Sequence, residues 1–120
     1  VRTCHYPDHI SWYYRCDQAG IYLMAETNLE THGSWQKMGA TEPSWNVPGN
    51  IECWRACTLD RAFRILRHLR TIHLLLFWSL GNESYAGNVL REMNQYYKEK
   101  KIRTDWYIMK GSAITVHMKM

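Results

Sequence analysis

The amino-acid sequence predicts an α/β fold built on parallel strands. Two observations support this prediction: short apolar runs alternate with longer amphipathic stretches, and polar residues follow directly where the apolar runs end. The 120 residues are enough for one small domain, and a composition of 46% hydrophobic and 22% charged residues is typical of a globular chain. Disordered and collagen-like classes are therefore excluded.

Apolar periodicity in the first part of the chain predicts the end of one strand, a helix and a second strand. Residues 1–6 have the composition of a strand end. Asp8 is a candidate N-cap for the helix that follows, and Gly20 is a suitable C-terminal stop. The apolar run 21–25 then has the length expected of a buried parallel strand.

Four polar residues follow that strand at intervals of two, namely Glu26, Asn28, Glu30 and His32. If the strand continues through them, all four side chains point to one face, because side chains alternate along a strand. The next segment, 33–50, is rich in Gly, Pro and Trp, which predicts a long loop. Long loops in compact domains are usually functional.

The second half of the chain predicts a helix, a buried strand and another helix. Residues 51–70 repeat apolar side chains along one helical stripe, with arginines beside it. The run 72–80 is nearly all apolar and ends in Gly-Asn-Glu-Ser at 81–84. Asn88 is a candidate cap for the last helix. The predicted inward-facing residues are Leu59, Ala62, Phe63, Leu66 and Leu69 in the first helix and Val89, Leu90, Met93, Tyr96 and Tyr97 in the second.

Ionisable residues stand at the predicted strand ends, with His5 after the first strand and Glu83 after the run 72–80. Ligands bind at the carboxyl ends of parallel strands, because the loops converge there. A carboxylate at such a position is hard to explain as core packing, since an unpaired buried charge is strongly destabilising. A simple cap or surface role for Glu83 is the alternative.

Three segments carry a family resemblance: Val-Arg-Thr-Cys-His-Tyr-Pro at 1–7, Glu-Thr-Asn-Leu-Glu-Thr-His-Gly at 26–33 and Phe-Trp-Ser-Leu-Gly-Asn-Glu-Ser at 77–84. Together they resemble the second, third and fourth strand ends of the catalytic barrel of glycoside hydrolase family 2 β-galactosidases. The resemblance implies an incomplete TIM (β/α)8 barrel fragment with about three to four parallel strands and three helices. It covers residues 1–101. Residues 102–120 are a divergent tail, for which a frame shift is our hypothesis.

The resemblance also assigns roles in a retaining hydrolase of carbohydrate metabolism. Glu83 would be the general acid/base, and Asn82 would hydrogen-bond the 2-hydroxyl of the sugar. His5 would line the sugar site and help to stabilise the transition state. Glu30, His32 and Glu83 would be the protein ligands of a Mg²⁺ ion, with water completing its coordination.

The second carboxylate of a retaining glycosidase is missing from the pattern. The acidic residues after Glu83 are Glu92, Glu99 and Asp105, and none stands in a sequence like the nucleophile motif. The tail also lacks the motif that ends the family's fifth strand. We therefore expect a fragment of an enzyme that hydrolyses terminal β-D-galactose residues, with no turnover from this chain alone.

The expected partners follow from the incomplete barrel. A β-galactoside sugar is the expected ligand, and the open barrel edges predict self-association or a complementing chain. One alternative is a metal-binding or carbohydrate-binding remnant without turnover. Another is a basic nucleic-acid-binding module on the arginine-rich helix within 51–70, which is the weakest hypothesis. With neither a signal-like nor a membrane-length segment and no metal-type cysteine spacing, we expect a cytoplasmic protein.

Overall fold

The computed structural model describes residues 1–36, 47–100 and 104–105, and its helices and strands alternate along the chain. A short 3₁₀ turn, Glu52–Trp54, leads directly into the third α-helix. In chain order the elements are α1 (Ile10–Gln18), β1 (Leu23–Glu26), α2 (His32–Gln36), α3 (Arg55–Leu69), β2 (Leu75–Ser79), α4 (Asn88–Glu99) and β3 (Thr104–Asp105).

The three strands form one parallel sheet in the order β1-β2-β3. In the register between β1 and β2, Glu26 lies opposite Ser79, so the two strands end side by side. Residues 1–3 run alongside the other edge of β1, where Arg2 makes a parallel bridge to Met24. The predicted parallel α/β architecture is confirmed, whereas its place in an incomplete barrel stays a prediction.

The three predicted helices are present as α1, α3 and α4, and the short helix α2 is an addition. It occupies the beginning of the segment 33–50 that the sequence predicts to be a loop. Most of that predicted loop, residues 37–46, lies outside the described residues. The predicted divergent tail 102–120 is also outside them, except for the two residues of β3.

Two of the predicted helix caps are wrong. His9 rather than Asp8 is the N-cap of α1, because its ring Nδ1 accepts the backbone N–H of Ser11. Asn88 is the first residue inside α4, and its own N–H is capped by the side-chain oxygen of Asn50. The predicted stop at Gly20 is correct, since this glycine has the left-handed φ of +74° that commonly ends a helix.

The predicted inner stripe of α3 is confirmed except at Phe63. Ala62 and Leu69 are buried, and Leu59 and Leu66 are partly buried against the core. Phe63 is 48% exposed, whereas Ala62 beside it is fully buried. Adjacent residues lie about 100° apart around a helix that has 3.6 residues per turn, so burying Ala62 turns Phe63 away from the sheet. The buried residues of α3 are Thr58, Ala62, Ile65 and Leu69. In α4 the predicted inner side is confirmed for Val89, Leu90, Met93 and Tyr97, while Tyr96 is only partly buried.

Two arginines of α3 pair with carboxylates of the same chain. Arg55 pairs with Glu92 and approaches Glu52, and the Glu92 carboxylate beside it raises the pKa of the Arg55 guanidinium. Arg64 pairs with Asp60 one turn earlier. These intramolecular pairs reduce the positive charge that the face offers to a phosphate backbone. In the described part of the chain, no helix is long and apolar enough to cross a membrane.

Candidate active site

The chain bends immediately after β1, which brings its next residues over the end of β2. The backbone N–H of Leu29 donates to the carbonyl of Thr27 at 2.7 Å, and Leu29 itself is buried. The carbonyl of Leu29 then accepts the N–H of Asn82 at 2.8 Å, which forms a parallel bridge between Glu30 and Asn82. The condition that the strand continues through His32 is therefore not met, because β1 ends at Glu26.

The loop after β2 has an unusual backbone that allows this close approach. Gly81 has φ +153°, and a Cβ added to it would lie 2.7 Å from the carbonyl oxygen of Leu29. Only glycine fits such a position without displacement of a neighbour. Glu83 has φ +27°, the one positive value among the described non-glycine residues. Residues held in such sparsely populated conformations are concentrated at functional sites.

A cluster of ionisable side chains lies at the carboxyl end of the sheet and consists of Glu30, His32 and Glu83. One potential ligand atom from each lies within 4.8 Å of the others, and His32 Nδ1 is 3.2 Å from a carboxylate oxygen of Glu83. The side chains remain between 32% and 48% exposed, so an ion or a ligand can reach them. Two carboxylates and one imidazole fit a divalent cation, and the carboxylate oxygens suit Mg²⁺ in particular.

His5 and Asn82 lie beside this cluster. The ring Nδ1 of His5 is 3.5 Å from Glu30 Oε2 and 3.8 Å from Glu26 Oε1. The side-chain amide of Asn82 donates through Nδ2 to Glu30 Oε2. All five residues that the sequence predicts as site residues therefore lie at the carboxyl end of the sheet, although they come from three separate segments.

The sequence prediction missed Arg2 as a site residue and left Glu26 without a partner. Glu26 is fully buried, and its Oε2 accepts hydrogen bonds from Arg2 Nε and from Ser79 Oγ, the latter at 2.8 Å. Arg2 also donates through Nη2 to Asn82 Oδ1 at 2.6 Å. A buried carboxylate requires a cation nearby, so a glutamate at the end of an apolar strand was the signal that could have pointed to Arg2.

The floor of the site is tied to helix α4. The Thr27 hydroxyl donates to the carbonyl of Ser79 at 3.0 Å, so it accepts its second hydrogen bond, at 2.9 Å, from the phenol of Tyr97. Burial raises the pKa of Tyr97 far above its ordinary value, which keeps this phenol protonated as a donor. Tyr97 also packs against Trp78, so these aromatics belong to the core.

Acidic and imidazole side chains gathered at the carboxyl ends of parallel strands define an α/β protein with an enzyme-type site. Residues 1–105 match the family described as glycosyl hydrolases family 2, TIM barrel domain. The chain therefore belongs to glycoside hydrolase family 2, as its three sequence motifs predict.

Curated relatives point to the same family. Over 100 residues the chain is 66% identical to the β-galactosidase large subunit of Latilactobacillus sakei. The aligned region covers 83% of this chain and 16% of the relative. The chain is 60% identical over 99 residues to the β-galactosidase large subunit of Lactobacillus acidophilus, covering 82% and 16%. It is 54% identical over 100 residues to a β-galactosidase of Clostridium acetobutylicum, covering 83% and 11%. The chain thus spans 16% or less of the length of these relatives.

Proposed function

We propose that this chain carries the acid/base half of a retaining β-galactosidase site that hydrolyses terminal β-D-galactose residues. The proposal depends chiefly on the placement of Glu83. This exposed glutamate follows a strand end, has a positive φ, and its Oε2 lies 3.2 Å from His32 Nδ1. The similarity to β-galactosidases supports the choice of sugar.

Glu83 is the general acid/base of the proposed reaction. It protonates the oxygen of the departing group in the first step and activates water in the second. Its side chain is 48% exposed, which leaves room for a substrate to approach it. Asn82 donates to the 2-hydroxyl of the sugar, an interaction that strengthens towards the transition state. His5, at the rim of the same cluster, lines the sugar site.

Glu30, His32 and Glu83 are the residues that would hold Mg²⁺. When bound, the ion supplies positive charge that offsets the repulsion between the two neighbouring carboxylates. The fit rests on the ligand atoms, which already lie within 4.8 Å of one another. A metal-binding remnant without turnover is the second candidate, and the same cluster favours it.

The nucleophile of the proposed reaction comes from outside the described residues. Glu26 is fully buried and paired with Arg2, so it has no access to a sugar. Glu30 accepts hydrogen bonds on both oxygens, from Asn82 and from the backbone N–H of His32. Hydrogen bonds stabilise the ionised carboxylate and thereby lower its nucleophilicity. We propose that a further segment or a complementing chain supplies the nucleophile. Two relatives are named as the large subunit of a β-galactosidase, which is consistent with a second chain in those proteins.

Hydrolysis of a chromogenic β-galactoside tests this function in two settings. The purified 120-residue chain is assayed with Mg²⁺, and no turnover is expected. Residues 1–100 then replace the corresponding segment of the Latilactobacillus sakei large subunit, where activity is expected. In that chimera, Glu83→Gln is expected to lower kcat by about 10² to 10⁴, the range of general acid/base catalysis.

Glu92→Gln is the matched control, since it removes one carboxylate that pairs with Arg55 and does not belong to the cluster. Activity of the chimera that survives Glu83→Gln would overturn the assignment of Glu83. Turnover by the isolated chain that Glu83→Gln abolishes would instead show that a second carboxylate is already present in it. An isolated chain that is folded, inactive and stabilised by Mg²⁺, together with an inactive chimera, would favour the metal-binding remnant.

A further inference from the structure

We propose that Glu26 is a positioning residue of this site, which acts through Arg2 to fix the orientation of the Asn82 side chain. Glu26 touches no substrate, because its side chain is fully buried between β1 and β2. This inference rests on the proposed function in one respect, namely that a sugar hydroxyl is the group that binds Asn82.

The buried carboxylate of Glu26 has few partners. Its Oε2 accepts hydrogen bonds from Arg2 Nε and Ser79 Oγ. Its Oε1 has no hydrogen-bond partner among the described residues, and His5 Nδ1 lies 3.8 Å from it. A buried charge must be neutralised by an opposite charge in contact with it. Arg2 is the partner that does so, and its guanidinium is therefore held at the carboxyl end of the sheet.

The contacts of the guanidinium determine which way the Asn82 amide points. An arginine only donates hydrogen bonds and a carboxylate only accepts them. The amide atom that faces Arg2 Nη2 must therefore be Oδ1, and the atom that faces Glu30 must be Nδ2, as the structure has them. A flipped amide would set its N–H group against a cation and its oxygen against an anion. Both contacts would then be repulsive, so the flipped orientation is unfavourable.

The fixed orientation has a consequence for binding. Nδ2 carries two hydrogens, and Glu30 accepts one of them. The other is left for an acceptor at the site, so Asn82 presents a donor rather than an acceptor to the sugar. A series of hydrogen bonds runs from Glu26 through Arg2 and Asn82 to Glu30 and links all three sequence motifs. It explains why a buried glutamate lies beneath residues that face solvent.

The side-chain amide signals of Asn82 in the ¹⁵N-labelled 120-residue chain measure this orientation directly. The two signals are assigned by their loss in Asn82→Asp. In the unsubstituted chain we expect two well-separated proton signals, because one proton is donated to a carboxylate. In Glu26→Gln and in Arg2→Lys we expect the separation to fall by about a factor of two or more. The first variant removes the charge that holds the Arg2 guanidinium, and the second removes the guanidinium that donates to Asn82.

Glu92→Gln is again the control, because it breaks an ion pair with Arg55 that does not touch this network. The backbone amide spectrum reports whether each variant is folded, and a purely structural role of Glu26 would leave the Asn82 signals of a folded variant unchanged. If Glu26→Gln does not fold, Arg2→Lys decides, since Arg2 is 23% exposed and keeps its charge in that variant.

Unchanged Asn82 signals in a folded Arg2→Lys chain would overturn the proposal. So would Asn82 signals in the unsubstituted chain that match those of a free amide. The measurement needs no turnover, so its failure is distinguishable from failure of the proposed hydrolase, which is judged by Glu83→Gln in the chimera.

Discussion

The two ends of the β1–β2 sheet use acidic residues in opposite ways. At the amino end, Asp17 accepts the backbone N–H groups of Leu74 at 2.7 Å and His73 at 3.3 Å, and thereby ties α1 to the start of β2. At the carboxyl end, Glu30 and Glu83 are brought close to each other and remain partly exposed. An acidic group satisfied by its own chain stabilises the fold, whereas acidic groups that converge with room between them can bind a ligand.

The backbone at the two ends differs in the same sense. Gly20, at the amino end, has φ +74° and open space around its Cα, with no atom within 4 Å of an added Cβ. Gly81, at the carboxyl end, is crowded by the backbone and side chain of Leu29. One glycine is needed only for its conformation, and the other also for the close approach of two loops.

The largest expected effect comes from alanine at these two glycines. Gly81→Ala forces a Cβ to within 2.7 Å of the Leu29 carbonyl and strains φ, so we expect it to displace Glu30. Overpacking and backbone strain together predict a loss of about 2 to 5 kcal/mol in the free energy of unfolding. Gly20→Ala strains φ alone, and we expect a loss of about 1 to 2 kcal/mol. Urea unfolding of both variants measures the difference.

Equal losses in the two variants would mean that the crowding at Gly81 is relieved elsewhere. The contrast between a crowded carboxyl end and an open amino end would then be wrong.

The next effect is stabilisation by Mg²⁺, which is expected only through the carboxyl end. At about 100 times its dissociation constant, an ion that binds only the folded chain adds about 2.7 kcal/mol to the free energy of unfolding. Glu30→Gln is expected to abolish the gain, because it replaces a charged ligand in the cluster. Thermal unfolding with and without Mg²⁺ gives the measurement.

Glu52→Gln, a change in a carboxylate outside the cluster, is the control and is expected to keep the stabilisation. Equal stabilisation of the Glu30→Gln chain would place the ion elsewhere on the molecule.

The smallest effect is expected at the amino end and depends on pH. The pKa of Asp17 is lowered below its ordinary value of 3.8, chiefly by the hydrogen bond from the Leu74 N–H. A carboxyl group whose folded-state pKa is depressed contributes stability above its unfolded pKa and loses it as pH falls through the folded value. We therefore expect Asp17→Asn to melt at a lower temperature than the unsubstituted chain at pH 7. The difference is expected to shrink below pH 3.8.

A difference in melting temperature that stays constant through this acidic range would show that the carboxylate charge is not what ties α1 to β2. A companion measurement on Glu52→Gln checks the general effect of removing one acidic group from the chain.

The local elements were largely predictable. Gly20 and the apolar periodicity of α4 each act within a few residues, so the sequence pattern contains the information directly. The outward position of Phe63 on α3 was not predictable, because this residue is as apolar as the buried residues near it. Its exposure depends on how the helix is rotated against the sheet, which is a property of packing.

The candidate site divides in the same way. His5, Asn82 and Glu83 could be predicted because they belong to short motifs whose residues stand at strand ends. The route by which Glu30 and His32 reach the cluster could not be predicted. The chain bends at Leu29 and enters a helix at His32, whereas their alternating spacing suited a continued strand equally well. Arg2 was missed because its partners, Glu26 and Asn82, are 24 and 80 positions away along the chain.

The class of fold, the family and the residues that meet at the strand ends follow from the sequence, because periodicity and short motifs are properties of neighbouring residues. How these residues face one another depends on the tertiary packing. The burial of Glu26, its pairing with Arg2 and the orientation of Asn82 all depend on the side-by-side alignment of β1 and β2. Hydrogen bonds and ion pairs act over a few ångströms in space, and the fold alone brings such distant positions of the chain into that range.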